Sequence, residues 1–268
     1  MYRIKKYYTS IKIIIIQNGL CNNYFIDRLK KSKFKPNCDY FFSMTEIEKD
    51  ILKKYISAKF IVIGSFLNNH FHKKKKETNK KEILLISQYR DKESGKIFQK
   101  NYKKTIKALI PTLIYLSKKK IKFSILGSTH ESDKEFEFYR SLFIGIKFNF
   151  YTRKAFQAYK RISDASTVIG FDSTLLYEAF AINKKIGIIN LSALNIVYKN
   201  ENSILTRKSL SGNGKFWIKK YNEYQTKNVL INLVKYSKSK WSDIRLPYKK
   251  LFILDYKNKE FCNVIKNL

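Results

Sequence analysis

Cysteine is scarce in this 268-residue chain, and no apolar run in it is long. The three cysteines, Cys21, Cys38 and Cys262, are odd in number and lack metal-ligand spacing. That pattern excludes a disulfide framework, argues against zinc and points to a reducing compartment. No stretch reaches the ~20 apolar residues that a membrane span needs. The N-terminal MYRIKKYYTSIKIIIIQNGL places basic residues before an apolar run, but Ile13–Ile16 is too short for a signal peptide and no small-residue cleavage site follows. A buried strand is the reading there. The expected location is the cytoplasm, with peripheral contact at an anionic inner membrane left open.

Acidic residues are few as well: 21 against 55 Lys and Arg, a formal net charge of +34. Yet arginine is itself scarce, eight of those 55. Lysine is accompanied by abundant Ile, Asn, Tyr and Phe, residue types that share A/T-rich codons, so codon bias explains much of the excess. A nucleic-acid reader would favour Arg for bidentate contacts, and would interleave aromatics with it. Nucleic acid is therefore disfavoured as a partner, although a basic binding module for nucleic acid or anionic lipid stays as the non-enzymatic alternative. The charge still favours anionic partners: nucleotides, acidic glycans or an anionic membrane face. No Asp-x-Asp motif stands at a strand end, so no metal site is expected.

The apolar fraction, 44%, is that of a globular protein. Ile11–Ile16, the CDYFF of Pro36–Phe42 and Lys59–Ile63 read as strands or apolar pieces, with a helix opening at Thr45 and Glu48 placed to complete a capping box. The polar run KKKKETNKK at 73–81 reads as a linker between an N-terminal α/β unit (1–72) and a larger domain (82–268). Beyond it the alternation is regular. Strands are expected at Glu82–Ser87, Lys122–Leu126, Ile146–Tyr151, Thr167–Ile169 and Ile186–Asn190. Helices are expected at Phe98–Lys118, Ser132–Phe143, Ala155–Asp164, Thr174–Ile182 and Asn222–Ser237. Near-continuous apolar strands alternating with helices imply an α/β fold, a Rossmann-type parallel sheet covered on both faces.

In such sheets ligands bind outside the carboxyl ends of the strands. Three ends carry polar groups: Gln88 to Arg90, Ser128 to His130, and Asp172 to Thr174. The last opens the segment TVIGFDSTLLYEAFAINKKIGIINL, a strand, a tight turn, a helix and a second strand. Ser173, standing before the apolar periodic run, is expected to cap the helix that begins near Thr174. With Thr174, the first N–H groups and the helix dipole it makes an anion site there, and phosphate is the usual anion. Glu178 lies four residues beyond Thr174 on the same face and leans back toward it. A carboxylate repels phosphate but accepts from ribose hydroxyls, so the pair suggests a nucleotide or nucleotide-sugar. Asp172 belongs to the same cluster. Arg90 would supply charge to a diphosphate, the alternative being a surface side chain. His130 is a candidate base or ligand contact. Glu131 and Glu135 read as a solvated helix start, and Tyr177 and Phe180 as core.

GFDSTLLYEAFAINKKIGII resembles the nucleotide-binding motif of bacterial GT-B enzymes that build surface carbohydrate. Asp172, Ser173, Thr174, Glu178 and Ala179 match it, and Asn183-Lys184-Lys185 stands where those enzymes have Gly-Lys-Pro. IIIIQNG, CDYFF and IVIGS resemble the end of a GT-B N-terminal domain, with Gln17-Asn18-Gly19 where many members have Gln-His-Gly. The resemblance implies a GT-B-like fold with an incomplete N-terminal domain. It implies a metal-independent glycosyltransferase of capsule, lipopolysaccharide or other surface polysaccharide. Its partners would be a nucleotide-sugar donor and a glycan or glycolipid acceptor, the nucleotide-sugar being substrate rather than cofactor. Gln17, Asn18 and Gly19 would face the acceptor, with Asn18 and His130 as catalytic candidates. Gln88, Arg90, Ser128, Asp172, Ser173, Thr174 and Glu178 would hold the donor. UDP-N-acetylglucosamine 2-epimerases carry a related motif, which keeps a sugar-nucleotide epimerase as the alternative.

Overall fold

The computed structural model describes residues 10–71, 81–90, 96–128, 132–153, 156–171, 173–189, 209–219 and 222–268. The linker expected at 73–81, apart from Lys81, lies outside them, as do His130, Glu131 and Asp172. The chain forms two compact units.

The described part of the first unit is 10–71, 209–210 and 247–268. It is built on a parallel three-stranded sheet, β1 (Ile14–Ile16), β2 (Asn37–Ser43) and β3 (Ser57–Val62), in that order. Helix α1 (Asn23–Lys31) follows β1 and α2 (Glu46–Leu52) follows β2. Asn22 caps α1 by accepting from Phe25 N at 2.9 Å. Ile26 of α1 and Leu52 of α2 bury against Phe41, Cys21, Cys38 and Ile56 in one apolar cluster. The third helix, α3 (Phe66–Phe71), follows β3.

The sequence reading carried the second domain to residue 268, and here the structure corrects it. The last segment, 247–268, belongs to the first unit. Asn69 of α3 donates to Asn258 Oδ1 at 2.9 Å and accepts from Asp255 N at 3.0 Å. Gly64 forms an isolated bridge with Leu254. Gly64 has φ +73°, and a Cβ there would stand 2.3 Å from the Ile253 carbonyl oxygen, so only glycine permits this approach. The return was hidden from sequence reading because it rests on tertiary hydrogen bonds between residues nearly 190 apart.

The second unit holds a six-stranded parallel sheet: β4 (Glu82–Ile86), β5 (Lys122–Leu126), β6 (Phe148–Tyr151), β7 (Thr167–Gly170), β8 (Lys185–Ile189) and β9 (Trp217–Ile218). Its order is β6-β5-β4-β7-β8-β9. That is the 3-2-1-4-5-6 order of dinucleotide-binding folds, with its switch point between β4 and β7. The helices are α4 (Lys96–Lys118), α5 (Ser132–Leu142), α6 (Gln157–Asp164), α7 (Thr174–Ala181), α8 (Glu223–Lys235) and α9 (Lys238–Arg245). A final helix, α10 (Lys259–Lys266), lies in the returning segment. All of β7 is buried, as are the last four residues of β4, β5 and β8, which is why these strands read as continuous apolar runs.

Candidate functional site

The carboxyl ends of β5, β4 and β7 are neighbours in the sheet, and a half-buried hydrogen bond ties the loops after β4 and β5 together. After β4 the chain turns at Ser87, whose hydroxyl accepts from Tyr89 N at 3.1 Å and from the Tyr139 hydroxyl at 2.6 Å. Tyr102 of α4 is bonded to the Tyr139 hydroxyl, and its own oxygen accepts from Gln88 N at 3.2 Å. Burial pushes both phenols above the ordinary tyrosine range, so they stay protonated and serve as fixed donors.

After β5, the Ser128 hydroxyl donates to the Tyr89 carbonyl at 2.7 Å, which joins the second strand end to the first. Ser128 N donates to both oxygens of Glu135, each at 3.0 Å. Glu135 is fully buried, so the reading of it as a solvated helix start is wrong. It sits on α5, the helix after β5, and turns inward to hold the loop before it. After β7, Phe171 packs on Tyr102 with ring centroids 4.8 Å apart. The three strand ends expected to converge therefore share one scaffold. Gln88 and Ser128 lie there half-buried and Arg90 exposed.

Ser173 is the N-cap of α7, as expected, with extended backbone (φ −89°, ψ 138°). Its side chain makes no capping hydrogen bond, which corrects the capping role expected for it. Ser173 and Thr174 are half-buried. Glu178 is 4% exposed, so it is not a solvated helix residue. Its Oε1 accepts from the Tyr159 hydroxyl of α6 at 3.3 Å. Tyr177 and Phe180 lie in the core.

Three cations hold helix ends around this frame, two of them, Lys184 and Lys185, from the turn that stands where GT-B enzymes have Gly-Lys-Pro. Lys184 donates to the Ser163 and Ala165 carbonyls at 2.5 and 3.0 Å, at the C-terminus of α6. Lys185 donates to the Tyr236 carbonyl at 2.7 Å beyond α8. Arg245 donates to the Phe180 and Ala181 carbonyls at 3.0 and 3.2 Å, closing α7 itself. Positive charge at the last carbonyls satisfies orphan acceptors and complements the helix dipole. Burial lowers the pKa of each of the three.

In the first unit, the loop after β1 carries the residues expected to face an acceptor. Gln17 does not do so. Its Oε1 accepts from Met44 N at 3.0 Å and its Nε2 donates to the Gly19 carbonyl at 2.7 Å, so both polar ends are used inside the unit. Asn18 is exposed and Gly19 half-buried. Glu48 of α2 is fully buried. Its Oε1 accepts from Cys21 N at 2.6 Å and its Oε2 from the Thr45 hydroxyl at 3.0 Å. The capping box is thus half-formed: Thr45 accepts from Glu48 N at 3.1 Å, but Glu48 reaches the Thr45 hydroxyl and the neighbouring loop. Burial pushes the Glu48 carboxyl up to about 7. Among the described residues no three His, Cys, Asp or Glu side chains group as metal ligands, and no helix is long and apolar enough to cross a membrane.

Known structures share this architecture. The chain aligns with S. aureus TarM, a point mutant in complex with fondaparinux, alpha-GlcNAc-glycerol and UDP, at TM-score 0.53 and 14% identity. That match covers 96% of this chain and 50% of TarM, so the chain spans about half of TarM's length. A glycosyltransferase from Rickettsia africae aligns at TM-score 0.53 and 13% identity over 99% of this chain and 73% of that one. UDP-GlcNAc 2-epimerase from Neisseria meningitidis, bound to UDP-GlcNAc, aligns at TM-score 0.58 and 14% identity over 99% and 72%. No curated protein sequence matches the chain. Identities this low establish the fold, a GT-B-like pair of α/β units, and it agrees with the strand order and with the motif at 170–189. Residues 14–268 match the family model described as "putative O-antigen biosynthesis protein", and the chain belongs to that family.

Proposed function

We propose that the chain is a nucleotide-sugar-dependent glycosyltransferase of surface polysaccharide or lipopolysaccharide synthesis. The observation that carries this is the meeting of the β5, β4 and β7 ends beside the N-terminus of α7, which no side chain of Ser173 caps. The first N–H groups of α7 and the hydroxyls of Ser173 and Thr174 would take the donor's phosphates. Asp172 directly precedes Ser173 in the sequence. Gln88 and Ser128 would line the neighbouring strand ends, and Arg90 would offset charge on the departing diphosphate. The Glu178 carboxylate accepts from the Tyr159 hydroxyl, and a carboxylate oxygen can accept more than one hydrogen bond, so a ribose hydroxyl would donate to it as well. Asn18 and Gly19, on the first unit, would serve a glycan or glycolipid acceptor, with Asn18 and His130 as catalytic candidates. No cofactor is required, the nucleotide-sugar being the substrate.

A second reading, a sugar-nucleotide epimerase, is favoured by the likeness to the Neisseria epimerase. Incubating the chain with UDP-GlcNAc in the absence of acceptor separates the two. A new sugar epimer seen by NMR supports the epimerase, whereas an unchanged sugar supports the transferase. Thermal-shift screening against CMP, UDP, GDP and CDP tests the shared premise. Ligand at 100 times Kd stabilises by ~2.7 kcal/mol, a rise of roughly 5–10 °C for a chain of this size. No shift with any nucleotide would sink both readings.

A further inference from the structure

Among the described residues the exposed apolar side chains are mostly single, as at Ile144, Tyr224 and Leu246, and single ones need no explanation. One segment differs. Tyr24 is 64% exposed, Phe25 40% and Phe34 76%, all within 11 residues. Residues 24–35 carry Arg28, Lys30, Lys31, Lys33 and Lys35, all exposed, against a single acid, Asp27. Asp27 is paired with Lys30 at 3.3 Å.

The local fold separates this surface from the core. On α1, Ile26 is buried and Leu29 packs against the same apolar cluster. Tyr24, Arg28 and Lys31 are spaced four and three apart and so share the opposite face. The Arg28 guanidinium lies 5.9 Å from the Tyr24 ring centroid. Beyond the helix the Ser32 hydroxyl donates to the Phe34 carbonyl at 2.7 Å and accepts from Phe34 N at 3.3 Å. This turn fixes the backbone of Phe34 while its side chain remains in solvent. Aromatic rings held outward among clustered cations are unusual for a water-facing helix. They match a bilayer interface, where amphipathic aromatics sit at headgroup depth and Lys or Arg meet anionic lipid.

We propose that Tyr24 to Lys35, the outer face of α1 and the turn after it, docks on an anionic lipid bilayer. Such a surface extends the glycosyltransferase reading, since a glycolipid acceptor would be carried in that bilayer. It is tested without nucleotide, so that either idea can fail alone. Cations near an anionic surface add to binding roughly independently, so reversing two of them is expected to weaken binding by tenfold or more.

The full chain is sedimented with phosphatidylcholine vesicles and with vesicles containing phosphatidylglycerol. Wild-type protein is expected to partition at least tenfold more strongly onto the anionic vesicles, with the difference shrinking at high salt. Lys31→Glu with Lys33→Glu, and Tyr24→Ser with Phe34→Ser, are each expected to lose tenfold or more while keeping the wild-type melting temperature. Equal partition onto both vesicles overturns the proposal, as does wild-type affinity in either double variant. A single-stranded RNA that binds through these residues while vesicles do not would assign the surface to nucleic acid and likewise overturn it. UDP binding measured by calorimetry on the same variants should be unchanged, so a negative vesicle result leaves the donor reading standing.

Discussion

Removing the Glu135 side chain should loosen the loop after β5 and destabilise the second unit. Glu135→Ala strips Ser128 N of both its acceptors, in a place where Glu135 itself is fully buried. A buried N–H left without a partner costs ~1–3 kcal/mol, and deleting the buried side chain adds a packing loss of similar size. The sum, about 3 kcal/mol, corresponds to a fall in melting temperature of roughly 6–12 °C for a chain of this size. Glu135→Gln is the informative partner. Its amide oxygen still accepts from Ser128 N, and its NH2 can donate to the Ser128 hydroxyl, which continues to donate to Tyr89 O. That variant should stay within about 1 kcal/mol of wild type. The assay is thermal unfolding by circular dichroism of all three proteins. If Ala and Gln unfold together, or if Ala is neutral, the carboxylate does not organise the strand ends as described.

Other consequences are as direct. Arg245→Met keeps the apolar stem but removes the donors to the Phe180 and Ala181 carbonyls, and should cost about 1.5–3 kcal/mol in thermal unfolding. Glu48, with its carboxyl raised from 4.5 to about 7 by burial, contributes stability that is full below about 4.5 and is lost as pH rises through about 7. The loss is on the order of 3 kcal/mol, and Glu48→Gln should flatten that part of the urea-unfolding profile between about pH 4.5 and 7. Cys262 is exposed whereas Cys21 and Cys38 are buried, and burial together with Glu48 raises the Cys21 thiol pKa. A thiol reagent should therefore label the native chain once, at Cys262, and three times only after unfolding.

The strand–helix alternation was legible because each long strand of the second unit is a nearly unbroken apolar run, and its helices keep their 3.6 period. Helix α8 was expected from Asn222 and begins at Glu223, with Asn222 as its cap. Strand β9, two residues long, carries too little pattern to be seen. The order of the strands was not legible either, since periodicity says which face is buried and not which neighbour is paired. Side-chain direction failed most often. Glu135, Glu48 and Gln17 are polar residues near helix starts and turns, where solvent exposure is the ordinary expectation. In each case a backbone N–H outside the regular ladders drew the side chain inward. The contacts of Lys184, Lys185 and Arg245 were not legible among 55 basic residues for a related reason: only the fold shows which cations meet a helix C-terminus.

The central claim is that a nucleotide's phosphates rest at the N-terminus of α7 with its ribose toward Glu178. The measurement is calorimetric titration of UDP and of inorganic phosphate into wild type, Ser173→Ala and Glu178→Gln. Ser173→Ala is expected to weaken both ligands. Glu178→Gln removes the negative charge and turns one carboxylate oxygen into a donor, so UDP should weaken roughly tenfold, ~1.4 kcal/mol, with phosphate unchanged. Equal losses for UDP and phosphate in Glu178→Gln, or UDP affinity untouched in both variants, would contradict the claim.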